Sequence, residues 1–232
     1  MLILIDDANL EDVAAIWSTL PVDGVTTNPT ILARQHRDPL RTLRELRELL
    51  GAGPQLHAQV VGTEPDVMVN EALALRGELG EDLFVKIPVT EAGYVAMRRL
   101  SAQGVNVTAT AIHAPMQAFL AAKAGARYVA PYINRLDNLG ADGVRVAAEI
   151  QTLLDVHRMD TQLLAASFKN SQQITELAKL GAGAVTAAPA VLRNLFRNAT
   201  TDAAVAEQRA DLESVIGAGH TFADLVGSEE TS

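Results

Sequence analysis

Leu83-Phe-Val-Lys-Ile-Pro88 is followed by the leucine- and alanine-rich stretch Ala92–Ala102. This two-part pattern indicates the fold. Its first part is short, apolar and β-branched, which is typical of a strand covered on both faces. Its second part has the spacing of a helix with one apolar side. Because this succession recurs along the chain, it predicts parallel strands joined by helices.

Seven further segments bring the set of predicted strands to eight. The other seven are Leu2–Asp6, Gly24–Pro29, Leu56–Val61, Asn106–Ile112, Tyr128–Ile133, Gln162–Phe168 and Ala184–Pro189. The helices predicted to follow the eight strands are Leu10–Leu20, Pro39–Leu50, Pro65–Leu79, Ala92–Ala102, Pro115–Ala124, Asp142–Val156, Gln172–Leu180 and Ala190–Arg197. Strand starts lie about 26 residues apart, against about 30 in a barrel of ~250 residues. We therefore predict an α/β fold, a closed (β/α)8 TIM barrel.

Polar residues within or at the ends of the predicted strands favour a closed barrel over an open sheet. They are Asp6, Thr26, Asn28, Gln59, Lys86, Thr110, Tyr132 and Ser167. In a barrel the carboxyl ends of the strands converge on one face, where barrel active sites form. In addition, no Gly-x-Gly-x-x-Gly turn follows the first strand, so the dinucleotide-binding fingerprint is missing.

The end of the chain differs from the repeating units. Thr201–Ile216 has the pattern of an additional C-terminal helix. The Gly- and Glu-containing residues 217–232 are predicted to form a flexible tail. No linker or change of composition precedes residue 217, so residues 1–216 are predicted to form a single domain that includes the helix.

The composition excludes several classes of protein. The 19 Lys and Arg against 28 Asp and Glu give a net charge of −9 without a basic patch, so we expect no nucleic-acid partner. The chain has no cysteine, which excludes disulfide scaffolds, thiolate metal sites and cysteine nucleophiles. No apolar run approaches the roughly 20 residues of a membrane span, and the first residues lack the basic region of a signal peptide. We therefore expect a cytoplasmic protein without a membrane partner.

Lys86 is the main candidate for chemistry. Alternation places it on the same strand face as Phe84, so it points into the barrel if Val85 and Ile87 contact the helices. Burial disfavours the ammonium form and lowers the pKa of a lysine, which makes the amine nucleophilic near neutral pH. It is the one of four lysines predicted inside a strand and thus the candidate for Schiff-base formation. The alternative is a lysine that extends its ammonium group to solvent.

Four other polar residues have side chains suited to the same reaction. Tyr132 is a candidate proton donor or water ligand, and Gln59 and Thr110 are neutral groups suited to holding the same water. Asp6 is suited to accepting hydrogen bonds from sugar hydroxyls. Taken singly, each of them also fits a strand-end cap or a place in the core.

Four motifs, in this order along the chain, resemble the transaldolase family. They are Gly24-Val-Thr-Thr-Asn-Pro-Thr30, Phe84-Val-Lys-Ile-Pro88, Ala130-Pro-Tyr-Ile-Asn-Arg135 and Ala165-Ala-Ser-Phe-Lys169. The similarity extends over about residues 2–216 and is closer to the short members, the fructose-6-phosphate aldolases and small transaldolases. The resemblance implies a barrel with a Schiff-base lysine on its fourth strand, in agreement with the independent strand count.

The resemblance implies catalytic roles for five residues. Lys86 matches the Schiff-base lysine, and Asp6 matches the acidic residue at the reacting hydroxyls. Gln59, Thr110 and Tyr132 match the set that holds the catalytic water.

It likewise implies substrate-binding roles for five others. Asn28 and Ser167 match groups that hold the dihydroxyacetone portion, and Thr26 lines the same region. Arg135 matches a sugar-phosphate ligand together with Ser167, and Lys169 lies near enough to add positive charge.

Two positions separate the activities within the family. Transaldolases generally have a glutamate in place of Gln59, and the larger ones a phenylalanine in place of Tyr132, whereas the aldolases have glutamine and tyrosine as here. Three departures affect the expected pocket: Asp7 after the first strand, His113 in place of an aromatic residue, and Val185-Thr-Ala-Ala-Pro189 on the eighth strand. They leave open whether the anionic end of the sugar is a phosphate or a sulfonate.

The sequence thus predicts a class I aldolase that splits a ketose phosphate such as fructose 6-phosphate into dihydroxyacetone and an aldose phosphate. An iminium on Lys86 would act as the electron sink, so no metal or other cofactor is expected. Two alternatives are open: a transaldolase acting on aldose phosphates or sulfonated analogues, and a barrel that binds a sugar phosphate without converting it. The resemblance also implies a homo-oligomer, a pentamer or a decamer.

Overall fold

The computed structural model describes residues 1–228. Within them, eight parallel strands hydrogen-bond to their neighbours in chain order and close into a barrel. The strands are β1 (Leu2–Asp6), β2 (Gly24–Thr26), β3 (Gln55–Gln59), β4 (Phe84–Pro88), β5 (Asn106–Ile112), β6 (Tyr128–Pro131), β7 (Gln162–Ala166) and β8 (Ala184–Ala187). The predicted (β/α)8 barrel is confirmed.

Helices follow every strand and surround the barrel. The helices of this part of the chain are α1 (Leu10–Thr19), α2 (Pro29–Ala33), α3 (Pro39–Leu50), α4 (Pro65–Leu79), α5 (Glu91–Ala102), α6 (Pro115–Lys123), α7 (Ile133–Asn138), α8 (Gly143–Val156), α9 (Ser171–Lys179) and α10 (Pro189–Arg193). Most of these helices begin at a residue whose side chain caps the helix, or at a proline. The cap accepts a hydrogen bond from a backbone N–H that the helix start leaves unpaired, and proline has no N–H to leave unpaired.

Two short helices, α2 and α7, replace the ends of predicted strands. The predictions that the strands continue to Pro29 and Ile133 are wrong, because β2 ends at Thr26 and β6 at Pro131. Asn28 caps α2 by accepting a hydrogen bond from the backbone N–H of Ile31 at 3.0 Å, and Pro29 takes the first helical position. The chain therefore leaves the sheet earlier than its apolar pattern suggests.

The strands separate two apolar layers. Val85 and Ile87 of β4 are fully buried in the layer between the sheet and the helices. Phe84 lies in a smaller cluster inside the barrel, together with Tyr128 of β6. Because side chains two residues apart on a strand point to the same side, Lys86 shares the inner face with Phe84.

The barrel interior also contains a hydrogen-bonded histidine. Nδ1 of His57 lies 3.0 Å from the hydroxyl of Thr108, its Nε2 lies 3.0 Å from Oε1 of Gln55, and its ring stacks on Phe84 with centroids 4.6 Å apart. Because the Gln55 carbonyl oxygen can only accept, this arrangement puts the His57 proton on Nε2. Burial, and secondarily the charge of Lys86, holds the pKa of His57 well below its ordinary value, so the ring is neutral.

The chain divides into two compact units, residues 1–195 with the barrel and a second unit from residue 196 onward. The second unit contains α11 (Ala199–Ile216), which confirms the additional C-terminal helix, and α12 (Phe222–Ser228). The helix α12 lies within the predicted tail, whose residues 229–232 are outside the described residues. The flexibility of that tail stays a prediction. No helix in residues 1–228 is long and apolar enough to cross a membrane.

Candidate active site

A cavity of about 430 Å³ opens where the carboxyl ends of the strands meet. Ten site residues were predicted, and seven of them line this cavity: Asp6, Asn28, Lys86, Tyr132, Arg135, Ser167 and Lys169. These seven come from the first, second, fourth, sixth and seventh strand–helix units, so only the closure of the barrel brings them together.

Lys86 lies in the middle of β4 and is only 4% exposed. Its Nζ donates a hydrogen bond of 2.8 Å to the backbone carbonyl of Thr27, just after β2. Burial lowers the pKa of this amine, and the carboxylate of Asp6 opposes part of that effect. The result is an amine that is more often uncharged than an exposed lysine and that faces a cavity.

Asp6 is the last residue of β1 and the second charged group in the floor of the cavity. The hydroxyl of Thr26 donates to its Oδ1 at 2.7 Å, and the same hydroxyl lies 2.7 Å from that of Thr186. Burial raises the pKa of Asp6, whereas the charge of Lys86 and the Thr26 hydrogen bond act in the opposite direction. Thr26 thus lies behind Asp6 rather than on the cavity wall.

Tyr132 follows β6, and its phenol lies 3.0 Å from the hydroxyl of Thr110 on β5. The guanidinium of Arg135 lies over the Tyr132 ring, 4.4 Å from its centroid, and His113 meets the ring edge-on at 5.6 Å. Ala111, between Thr110 and His113, has a φ of 61°, and the register between β5 and β6 shifts at this point. This irregularity lies next to Tyr132, the predicted proton donor. Beta-bulges are common next to active sites.

Gln59 lies beside Lys86 but not on the wall of the same cavity. The two are register partners on β3 and β4, so both point into the barrel. Oε1 of Gln59 is buried without a hydrogen-bond partner, and its side chain contacts two neighbouring cavities that also contain Pro29 and Val60. An unpaired buried amide oxygen is costly, which points to a missing partner such as a water.

The remaining predicted ligands lie on the segments that follow β2, β6 and β7. Asn28 caps α2 with its oxygen, which leaves its amide group for a ligand. Ser167 has a φ of 66°, in the left-handed region that a residue with a Cβ avoids. Its carbonyl accepts a hydrogen bond of 2.8 Å from the backbone N–H of Asn134, which ties the ends of β6 and β7 together. Arg135 and Lys169 are exposed at the rim.

The cavity also has lining residues that are not among the predicted site residues, two of them polar or charged residues at the end of α2. Arg34, the C-cap of α2, and its neighbour Gln35 line the wall. The one available signal is their position a few residues after Asn28 and Pro29, but the sequence predicts a strand up to Pro29 and a helix only from Pro39, so it gives no helix at this point. Thr27 contributes only its backbone carbonyl, which no sequence pattern reveals.

The site combines the groups needed for Schiff-base chemistry. It has a buried amine, a carboxyl group and a phenol at hand for proton transfer, and cations at the rim for an anionic substrate. Within residues 1–228 there is no group of three or more His, Asp or Glu side chains arranged to hold a metal ion.

Comparison with known proteins agrees with this geometry. The model of the Transaldolase/Fructose-6-phosphate aldolase family matches residues 3–229. A probable transaldolase of Symbiobacterium thermophilum is 37% identical over 217 residues, which are 94% of this chain and 99% of the relative. A probable fructose-6-phosphate aldolase of Streptococcus pneumoniae is 38% identical over 194 residues, 83% of this chain and 87% of the relative.

A third relative, a probable transaldolase of Thermodesulfovibrio yellowstonii, is 33% identical over 215 residues, 93% of this chain and 99% of the relative. The family match includes Asp6, Lys86 and Tyr132. The chain therefore belongs to the Transaldolase/Fructose-6-phosphate aldolase family and is an enzyme of the transaldolase and aldolase type.

Proposed function

We propose that the enzyme is a class I aldolase that cleaves a ketose phosphate such as fructose 6-phosphate to dihydroxyacetone and an aldose phosphate. The observation that carries the proposal is the position of Lys86, a buried amine of lowered pKa at the floor of the cavity. An uncharged amine with a lone pair is the form that attacks a carbonyl carbon.

The first half of the reaction forms and uses an iminium. The Nζ of Lys86 adds to C2 of the ketose, and loss of water leaves the iminium. A water held by Gln59, Thr110 and Tyr132 takes the proton from the C4 hydroxyl. The C3–C4 bond then breaks, the aldehyde leaves, and the electron pair moves through the iminium to nitrogen. The buried, unpaired Oε1 of Gln59 supports the place proposed for this water.

The second half returns the enzyme to its starting state. Tyr132 helps to protonate the enamine at C3, and the hydrogen bond of 3.0 Å between its phenol and Thr110 keeps it near the water. Hydrolysis of the resulting iminium frees dihydroxyacetone and the amine of Lys86. Asp6 binds the reacting hydroxyls, and Asn28 and Ser167 hold the dihydroxyacetone portion, with Thr26 behind them.

Arg135 and Lys169, together with Ser167, bind the anionic end of the substrate in this proposal. Both cationic side chains line the cavity at its rim, as the ligands of a bound oxyanion should. We further propose that the enzyme works in the cytoplasm, as a homo-oligomer of five or ten chains.

The second candidate is a transaldolase, which uses the same steps up to the enamine and then transfers the three-carbon unit to another aldehyde. The names of two of the relatives above favour it. The phenol of Tyr132 favours the aldolase, because a proton donor beside the enamine releases dihydroxyacetone instead of letting the enamine wait for an acceptor.

The two candidates differ in their need for an acceptor. Purified enzyme is incubated with fructose 6-phosphate, either alone or with erythrose 4-phosphate, and samples of both reactions are reduced with borohydride. The aldolase releases dihydroxyacetone without acceptor, and the tryptic peptide that contains Lys86 gains the mass of the reduced adduct. A Lys86→Met variant serves as the control and gives neither result.

Each other outcome has a definite meaning. Product that forms only with erythrose 4-phosphate establishes the transaldolase instead. An unmodified Lys86 peptide in a reaction that turns over contradicts the Schiff base in both candidates.

A further inference from the structure

We propose that Arg34 is a third cation that binds the anionic group of the substrate, and that this group is a phosphate dianion rather than a sulfonate monoanion. This inference rests on the proposed function and names the substrate class of the same site.

Arg34 lies across the barrel from Arg135. Arg34 caps α2, which follows β2, and Arg135 lies on α7, which follows β6. In a closed barrel of eight strands, the second and the sixth strands are four apart in both directions and so lie on opposite sides. Both arginines nevertheless line one cavity, so they approach it from opposite walls.

No carboxylate neutralises these three cations in the part of the chain that the structure describes, although the Arg135 guanidinium also lies over the Tyr132 ring. Within residues 1–228, the side chains of Arg34, Arg135 and Lys169 form no ion pair. Arg37, only three residues after Arg34, pairs with Glu45 at 2.7 Å. Three unpaired cations around one cavity are typical of a site whose counter-charge is the ligand.

The charged residues of the cavity wall are mostly cationic. Lys86 and Asp6 in the floor are of opposite sign, and each shifts the pKa of the other toward its charged form. The remaining charged residues of the lining are Arg34, Arg135, Lys169 and the carboxylate of Asp7. They leave a net charge of two positive units, which a phosphate monoester neutralises and a sulfonate neutralises only by half.

The size of the cavity suits one small substrate molecule. Its volume of about 430 Å³ lies in the lower part of the usual range for small-molecule sites, about 300–1,000 Å³. One open-chain sugar phosphate is therefore the expected occupant, and it brings a single anionic group for the cations to bind. A guanidinium suits this role because its fork of donors can contact two phosphate oxygens at once.

Binding without catalysis tests the inference. Isothermal titration measures the affinity of glycerol 3-phosphate and of 3-hydroxypropane-1-sulfonate at pH 8, where the phosphate is a dianion. The titrations use the unmodified enzyme, Arg34→Gln and the matched control Arg37→Gln, which removes a neighbouring arginine that does not line the cavity. Neither probe has a carbonyl group, so neither can react with Lys86.

We expect the unmodified enzyme to bind the phosphate more tightly than the sulfonate. Loss of one charge-assisted contact should weaken phosphate binding roughly tenfold in Arg34→Gln and reduce the preference over sulfonate. Arg37→Gln should match the unmodified enzyme. Equal phosphate affinity in Arg34→Gln and the unmodified enzyme, or equal affinity for both probes, would overturn the inference.

The binding test of Arg34 and the test of the proposed function can fail independently of each other. If borohydride traps nothing on Lys86 while Arg34→Gln binds phosphate less tightly, the reaction is wrong and the anion site stands. If Lys86 is trapped and Arg34→Gln binds phosphate normally, the aldolase stands and the role of Arg34 is wrong.

Discussion

Lys86 is subject to two opposing physical effects. Burial favours its neutral amine, whereas the carboxylate of Asp6 favours the ammonium ion. Burial raises the pKa of Asp6, and the charge of Lys86 opposes that effect in turn. The protonation of the amine therefore depends on both groups together.

The first prediction concerns the pH dependence of imine formation. Only the neutral amine attacks, so the rate of dihydroxyacetone trapping by borohydride should rise with pH through the pKa of Lys86 and then level off. Asp6→Asn removes the charge that raises this pKa, so the midpoint should move to lower pH. The measurement is the initial rate of adduct formation on the Lys86 peptide as a function of pH.

Asp7→Asn is the matched control, because Asp7 lines the same cavity but is not among the groups that shift the pKa of Lys86. Its midpoint should equal that of the unmodified enzyme. A midpoint that stays in place or rises in Asp6→Asn would show that the carboxyl group does not stabilise the ammonium ion.

At the level of elements, the contact between α5 and β4 fixes the strand that carries Lys86. Gly93 lies in the first turn of α5, and a Cβ there would stand 1.9 Å from the carbonyl oxygen of Pro88, the last residue of β4. The hydroxyl of Thr90 caps the helix by accepting from the N–H of Gly93 at 3.0 Å. The helix can therefore approach the strand end this closely only because residue 93 lacks a side chain.

We predict opposite effects for two glycine-to-alanine substitutions in helices. Gly93→Ala should lower the free energy of unfolding by about 1–3 kcal/mol, because the rigid backbone of β4 must move. Gly77→Ala, in α4, should raise it by up to about 1 kcal/mol, because nothing lies within 4 Å of its Cβ and alanine is the better helix former. Urea unfolding followed by circular dichroism measures both.

Two further results would identify an error in this reasoning. Equal stability of Gly93→Ala and the unmodified enzyme would mean that α5 can shift without cost. A loss of stability in Gly77→Ala would mean that the open space at that helix position is occupied in solution.

At the level of the whole molecule, the second unit is the best candidate for assembly. None of the residues of α11 is buried, and several large apolar side chains of this unit are exposed, among them Val205, Val215 and Phe222. Exposed apolar groups of this kind mark interaction surfaces when they form a patch. The oligomer implied by the family resemblance would supply a partner for them.

Truncation tests whether the second unit holds the oligomer together. A chain that ends after Asn198 should sediment as a smaller species than the full-length enzyme, because it lacks both C-terminal helices. A chain that ends after Gly217 keeps α11 and is the control that separates the two helices. If the chain that ends after Asn198 still sediments as an assembly with the same number of subunits as the full-length enzyme, the barrel alone forms the contacts.

The sequence by itself determined the barrel, and it predicts the residues that we propose for the chemistry. The alternation of strands and helices is a local property, written in the spacing of apolar residues, and Lys86 was recognisable because a lysine inside an apolar strand is rare. The polar residues at the strand ends were also predictable, since the carboxyl ends of parallel strands must converge in a closed barrel.

Only the tertiary structure decided how these residues are arranged around the cavity. It placed Gln59, Thr26 and Thr110 behind the wall, brought Arg34 into it, and set His57 in a hydrogen-bonded network inside the barrel. These outcomes depend on strand register, on where α2 and α7 begin, and on which groups lie across the barrel. Such relations join residues far apart in the chain, and no local pattern of side chains contains them.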